Sequence, residues 1–383
     1  MGFLRSGRSR ALFFQIVALA AVLGGLAFIV HNTMLNLEKN NIASGFAFLG
    51  REAGFEIGES PFLAYSAADS YGRALIVGLV NTIRVALVGI VLATIIGTLV
   101  GLARLSTNWL LARIASAYVE VIRNVPLLVQ LFFWYVVITD NLPGPRDALS
   151  PLSGVFLSNR GIALPGIEPH PAHWWMLGAF IIGLLIAWPL ARWARARQAR
   201  TGQQFASFWA GAGIALGLPI MVFLAAGAPA KLDVPQLSGF NFAGGVVLSP
   251  EYATLLIGLV AYTAAFIGEI VRAGIIAVHR GQFEAAYSLG LSRRISLRLV
   301  VLPQALRVII PPLTSQYLNI TKNSSLAVAI GYPDVVSIAN TSINQHGQAI
   351  EGIAIIMAVY LSVSLSISAF MNWYNKRIAL VER

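Results

Sequence analysis

The sequence predicts an all-α polytopic membrane protein with about eight transmembrane helices, and three observations carry that prediction. Of its 383 residues, 57% are hydrophobic and only 11% charged, whereas an average soluble domain is roughly one quarter charged. Such a chain cannot cover itself with polar surface, so a bilayer is its natural solvent. Apolar runs long enough to cross about 30 Å of hydrocarbon recur at 12–31, 76–103, 115–138, 174–191, 207–228, 252–277, 303–322 and 350–372.

The third observation is the segregation of charge. With the N-terminus in the cytoplasm, the inner segments hold Arg5, Arg8 and Arg10, then Arg104 and Arg113, then Arg192, Arg195, Arg197 and Arg200. Arg280, Arg293, Arg294 and Arg298 follow, and Lys376, Arg377 and Arg383 close the series. The outer segments collect Glu38, Glu52, Glu56, Glu59, Asp69, Asp140, Asp147, Glu168, Asp233 and Glu251, together with Lys39, Arg51, Arg73, Arg146, Arg160 and Lys231. This is the positive-inside pattern, and it puts both termini in the cytoplasm. The net charge of +11 is then a topology signal and implies no nucleic acid. No cysteine occurs, which removes disulfides, thiolate chemistry and cysteine metal sites.

Each element has its own justification. Residues 1–74 open with a basic flank and an apolar stretch too long for a cleaved signal, followed by no small-residue cleavage site, so they read as a signal-anchor helix plus an outer segment. Residues 75–140 hold the second and third spans. Gly97 and Gly101 form a GxxxG suited to close helix packing, and Arg84 is placed to snorkel. Glu120 and Arg123, like Glu269 and Arg272, are three apart and so share a helix face; the plain reading of each is a self-satisfied structural pair. Residues 141–250 add two spans joined by the arginine-rich "ARWARARQAR", with Trp174 and Trp175 as interfacial anchors. Packing around the core, contact with a sister subunit and contact with lipid all remain open for this part. His170 and His173 are two histidines in an outer loop, ordinary surface residues rather than a metal site.

Residues 251–383 carry the two informative stretches. "EAAYSLGLSRRISLRLVVLP" (284–303), within the cytoplasmic segment 278–303, is an amphipathic elbow. Glu284, Ala285 and Ala286 favour helix, Gly290 permits a turn, and Pro303 after Leu302 suits a helix start. An interfacial helix on anionic lipid and a docking point for a cytosolic partner are both compatible with it. Arg293 and Arg294 form a solvated or lipid-facing edge. Further on, "PPLTSQYLNITKNSS" (311–325) sets Pro311 and Pro312 beside a run of polar side chains. The prolines are expected to unwind the helix, and unwound backbone at that depth must line protein or water. Thr314, Ser315, Gln316, Asn319, Lys322 and Ser324 are the candidates for a translocation path, with Lys322 near its outer mouth. The stretch 324–340, holding Pro333 and Asp334, reads as a broken or re-entrant ninth segment.

The elbow text, EAA followed by three residues, Gly, nine residues and VVLP, resembles the EAA loop of membrane subunits of bacterial ABC importers, with Val300 where that family usually has isoleucine. "EVIRNVPLLVQLFFWY", "GQFEAAYSLGLS" and "LPQALRVIIPPLTSQYLNITKNSSLA" resemble polar amino-acid permeases. "HNTMLNLEKNNIASGFAFL" and "NKRIALVER" are similar to the Q-type subunit of general L-amino-acid importers. The resemblance implies a type I ABC importer permease fold in the bacterial inner membrane. It also implies ATPase coupling through Glu284, Ala285, Ala286, Gly290, Leu302 and Pro303. The implied partners are a homologous sister permease, two ATP-binding subunits, a periplasmic amino-acid-binding protein and L-amino acids. No GxxxxGK[ST] occurs, nor any Gly-Lys pair, so ATP and Mg belong to a partner and this chain is no enzyme. An ion-gradient-driven transporter and a non-transporting scaffold are the rival readings. The first would need acids such as Glu120 or Glu269 for its ion, and the second leaves 311–324 without a purpose.

Overall fold

The computed structural model describes residues 7–39 and 44–378. Arg5 and Arg383, and the side chains of Glu38, Arg8 and Arg377, lie outside the described residues. The chain divides into two compact units, Met1–Trp134 with Thr254–Arg383, and Tyr135–Ala253.

In the first unit, α1 (Gly7–Lys39) is a single apolar helix with no buried residue among those described. A 3-10 turn (Phe46–Gly50) and an extended strap lead to α2 (Tyr71–Ala103), whose N-cap Ser70 accepts a hydrogen bond from the Arg73 amide. Next come α3 (Trp109–Asn124) and α4 (Leu127–Thr139). In the second unit, α5 (Pro171–Thr201) and α6 (Ser207–Ala225) form an antiparallel hairpin. Gly183 lies so close to Ala215 that an added Cβ would stand 2.6 Å from its Cα. Outside the hairpin, the strands β1 (Leu149–Leu152), β2 (Val155–Ser158), β3 (Gly161–Leu164), β4 (Gly166–Ile167), β5 (Leu232–Asp233), β6 (Gln236–Ser238), β7 (Asn241–Ala243) and β8 (Val246–Leu248) pair antiparallel. The largest sheet runs β1-β2-β3-β8. The predominantly helical chain thus carries a small β cap that sequence reading did not anticipate. Strands of two to four residues give too little alternation to be read against a loop. His170 is the N-cap of α5 and His173 answers it in a capping box, so both rings serve that helix start.

The first unit resumes with α7 (Pro250–Ile276), α8 (Arg280–Ser288), α9 (Arg293–Ser296), a π-helical turn (Leu297–Val301), α10 (Leu302–Asn323), a 3-10 stretch (Ser324–Ile330), α11 (Val335–His346) and α12 (Ala349–Ile378). Among the described residues, seven helices are long and apolar enough to cross a membrane, eight if the α3–α4 pair counts as one span.

Three local expectations are corrected. The run 115–138 is not straight: α3 and α4 meet at 107°. Pro126 has no N–H and pushes Val125 into extended backbone (φ −100°, ψ 129°). The buried Gln130 side chain then donates to Ile122 O and Val125 O, both at 2.9 Å, replacing donors the break removed. Second, Pro303 starts no helix, because helical backbone runs from Arg293 through the π turn into α10. A proline ring clashes with the carbonyl four residues before it, and the wider π turn just upstream makes the room. Third, Pro311 and Pro312 do not unwind α10, which stays helical to Asn323. They forfeit two adjacent donors, while Ala305, Ile309, Leu313 and Ile320 keep the inner face buried and hold the rod on course.

The stretch 324–340 is no span. After Gly331 (φ 79°) the chain turns at Pro333–Asp334 into α11, clamped on the N-terminal half of α2. Asn81 donates to Pro333 O (3.0 Å) and Glu59 O (2.8 Å), and the Val335 amide donates to Thr82 Oγ1 (3.1 Å). Arg84 does not snorkel either. It pairs with Glu59 of the strap at 2.5 Å, both side chains largely shielded.

Close approach to α2 rests on its glycines. A Cβ on Gly97 would stand 2.6 Å from Ile267 Cβ, and one on Gly101 would stand 2.7 Å from Gly268 O. Gly101→Leu is therefore expected to destabilise the purified chain by about 1–3 kcal/mol, the usual cost of overpacking, read as a lowered thermal midpoint in detergent. An unchanged midpoint would remove the glycine contact from the account. Gln130→Leu should cost about 1–3 kcal/mol through two unsatisfied carbonyls. Gln130→Glu, which keeps the shape but sets a buried carboxylate against the same two carbonyls, should cost more than Gln130→Leu.

Candidate functional site

Two regions of the first unit collect the residues singled out by sequence, and α10 joins them. At its start lies the elbow. His279 caps α8 by accepting from the Gly281 amide at 3.1 Å, and α8 closes through Gly290 N to Tyr287 O (2.9 Å) and Leu291 N to Ala286 O (3.1 Å). Gly290 has φ +73° with open space where a Cβ would go, so a side chain there meets a backbone cost of about 1–2 kcal/mol rather than a clash. Gln304 of α10 donates to Gln282 of α8 at 3.0 Å, tying the two arms together.

Ala286 and Ser296 are buried on the inner side, whereas Glu284, Ala285, Gly290, Leu302 and Pro303 are exposed. Glu284 has no ion-pair partner among the described residues. On the same elbow Tyr287 (50% exposed), Leu289 (79%) and Ile295 (44%) stand open. Sequence reading missed this apolar crest. Its signal was there, since large apolar residues standing exposed among the arginines of 278–303 need something to cover them.

Behind the elbow, Glu269 of α7 sits between two guanidiniums. Arg272 reaches it at 2.5 and 3.2 Å, and Arg104, at the end of α2, bonds to it from across the helix interface. Arg104 also reaches Ser116 of α3 at 3.3 Å. The expected Glu269–Arg272 pair is thus a three-residue clamp fastening α2, α3 and α7. Arg104 had been counted only as a topology charge. Glu120 and Arg123 are different: both are exposed, no ion pair joins them, and Arg123 lies 4.9 Å from the Phe266 ring centroid. A shared helix face permits a pair but does not force one, and the aromatic face of α7 competes for the guanidinium.

At the far end of α10, Ser315, Asn319 and Lys322 are exposed and spaced by four and three residues, one stripe about 10 Å long. Lys322 lies about 30 Å along the rod from Leu302. No carboxylate lies within ion-pair range of its amine among the described residues. Thr314 and Gln316 are half-buried. Ser324 is fully buried with its hydroxyl donated to Thr321 O at 2.7 Å, so it stands apart from the stripe. An intact helix with a polar face, rather than unwound backbone, presents the candidate path.

The turn that leads into α11 holds a buried acid. Asp334 caps α11 by accepting from the Ser337 amide at 2.8 Å, and Tyr360 donates to it at 3.3 Å. Burial pushes its carboxyl up to about 7, against the hydrogen bonds from Ser337 and Tyr360 that pull it down. With the folded value raised, the unfolded chain ionises first, and stability falls as pH rises from about 4 to about 7. Asp334→Asn keeps the cap and removes the titration. Its thermal midpoint should therefore exceed that of the wild type more at about pH 8 than at about pH 5, and parallel curves would refute the buried-acid account.

Comparison with known proteins places the chain among transport-system permeases. Residues 205–380 match the family described as "Binding-protein-dependent transport system inner membrane component". The chain is 52% identical over 375 residues to the putative amino-acid ABC transporter permease protein YhdX of Escherichia coli K12, covering 98% of this chain and 95% of that one. It is 49% identical over 374 residues to the general L-amino acid transport system permease protein AapQ of Rhizobium johnstonii, covering 98% and 93%. It is 40% identical over 412 residues to the glutamate/glutamine/aspartate/asparagine transport system permease protein BztB of Rhodobacter capsulatus, covering 98% and 95%.

Proposed function

Because the chain belongs to the inner-membrane permease components of amino-acid ABC importers, we propose that it passes L-amino acids of several side-chain types into the cytoplasm by ATP-driven alternating access. The elbow is the observation that carries this reading. It is a partly apolar projection tied by Gln304 and Gln282 to the start of the helix whose far end bears the polar stripe, so a push on the elbow is delivered along α10.

In this proposal the chain pairs with a homologous sister permease, two ATP-binding subunits and a periplasmic amino-acid-binding protein, with its own termini in the cytoplasm. ATP and Mg are held and hydrolysed on the partner subunits, and this chain binds no cofactor. Closure of those subunits moves the crest around Glu284 and Leu289, and α10 turns as a rod against the α2–α7 clamp. The path lined by Ser315, Asn319 and Lys322 then opens outward to receive an amino acid. Lys322 offers the substrate carboxylate a cation at the outer mouth, Ser315 and Asn319 offer neutral hydrogen bonds deeper in, and neither selects a side chain. That division fits broad specificity. The relatives named for general L-amino acids and for glutamate, glutamine, aspartate and asparagine support it. Glu269, held by two arginines, is a poor site for a coupling ion.

Uptake of labelled amino acids by proteoliposomes holding the assembled importer tests the reading. Wild-type uptake should require ATP. Glu284→Lys with Gly290→Pro should abolish uptake while the complex still assembles, because proline fixes φ near −65° where the chain needs +73°. Lys322→Gln should slow uptake across all substrates rather than one. Uptake without ATP, or a normal double variant, would sink the coupling role.

A further inference from the structure

The elbow has a second surface, lined by none of the residues of its exposed crest. Between the cytosolic ends of α2 and α7 and the inner side of the run from α9 into α10 lies a cavity of 530 Å³. Its wall is apolar, formed by Leu102, Ile275, Leu297 and the first turn of α10, and its rim carries Arg293, Arg294 and Arg298. None of these three guanidiniums has a carboxylate within ion-pair range among the described residues. Between Glu269 and Asp334 the chain has one acid, Glu284, exposed on α8. Glu269, the nearest acid on α7, is already bound by Arg104 and Arg272.

Three unpaired cations above an apolar hollow, at the cytosolic end of spanning helices, call for an occupant that is anionic at one end and hydrocarbon at the other. A free anion would satisfy the rim and leave the wall bare. An acidic protein surface would have to reach behind the crest. We propose that this cavity binds one anionic phospholipid, with its phosphate held by Arg293, Arg294 and Arg298 and an acyl chain against Leu102, Ile275 and Leu297. Guanidinium suits phosphate through paired N–H donors, and basic pockets between helices on the cytoplasmic side are the usual place for acidic headgroups. Seated there, the lipid braces the second arm of the elbow against α2 and α7, so the anionic lipid content of the membrane sets how stiffly the elbow transmits its motion.

The test uses the full importer in nanodiscs of phosphatidylcholine with phosphatidylglycerol, followed by native mass spectrometry of the released complex. Wild type should retain phosphatidylglycerol in clear preference to phosphatidylcholine, and excess inorganic phosphate should not displace it. R293Q/R294Q/R298Q should lose the preference. Leu102→Trp, which fills the wall and keeps every charge, should release the lipid as well, and it carries the test alone if the triple variant fails to assemble. Equal retention of both lipids by wild type, or undiminished retention in the variants, overturns the proposal. Displacement by inorganic phosphate would make this a plain anion site and overturn the lipid assignment. Loss of the ATP-binding subunits from the triple variant with lipid retention unchanged would give the arginines to partner docking instead. The readout is retained lipid, so its failure leaves the transport reading untouched.

Discussion

The first unit is organised by the surface of one helix. Along α2, Gly78, Gly89, Gly97 and Gly101 are each the point where another element lies within contact distance of the backbone. A Cβ on Gly78 would meet Val335 Cα at 2.9 Å, and one on Gly89 would meet Ile320 of α10 at 2.9 Å; at Gly97 and Gly101 it would strike α7. In hydrocarbon there is no hydrophobic drive to bring helices together, so association rests on close packing and on polar groups that satisfy one another. Glycine notches supply the first. The second comes from the same helix, through Asn81, Thr82, Arg84 and Thr94, and from Arg104 just beyond its end.

This arrangement explains which parts are stiff. The α2–α7 contact is fastened at the C-terminal end of α2 by Glu269 and two arginines, and α11 is fastened to the N-terminal half of α2 by backbone-to-side-chain bonds. Between them α10 touches α2 through Ile320 and through Tyr317, whose hydroxyl lies 3.0 Å from Thr94 Oγ1. A rod packed along its inner face, with an exposed elbow at one end and an exposed polar stripe at the other, is suited to carrying movement between them. The prolines at 311 and 312 belong to this picture. They weaken the hydrogen-bond ladder at mid-rod without breaking it, and their exposed faces leave that side of α10 for something other than this chain's own core.

Much of this was legible in the sequence because the bilayer imposes a one-dimensional rule. A span must be long, apolar and internally hydrogen-bonded, and cations gather on the cytoplasmic side, so composition and charge alone gave the helical class and the positions of the spans. The elbow was legible for a local reason: a glycine flanked by two short amphipathic stretches has few conformations open to it, and Gly290 adopts the left-handed one. The GxxxG at Gly97 and Gly101 likewise announced a close contact, though not with which helix.

What only the tertiary structure decided is every choice between two locally acceptable outcomes. Proline at 126 bends the chain by 107° while prolines at 311 and 312 do not. The difference lies in Gln130, which caps the carbonyls freed at the first, and in the packed inner face that carries α10 through the second. Arg123 and Arg272 stand in the same i+3 relation to an acid, yet only Arg272 takes it, since Arg104 arrives from α2 to complete that site whereas Phe266 draws Arg123 away. Ser324 and Asn319 are equally polar on paper. The helix turns one into the core and the other outward, because burial is set by which neighbour occupies each face and no residue's own chemistry specifies its neighbour.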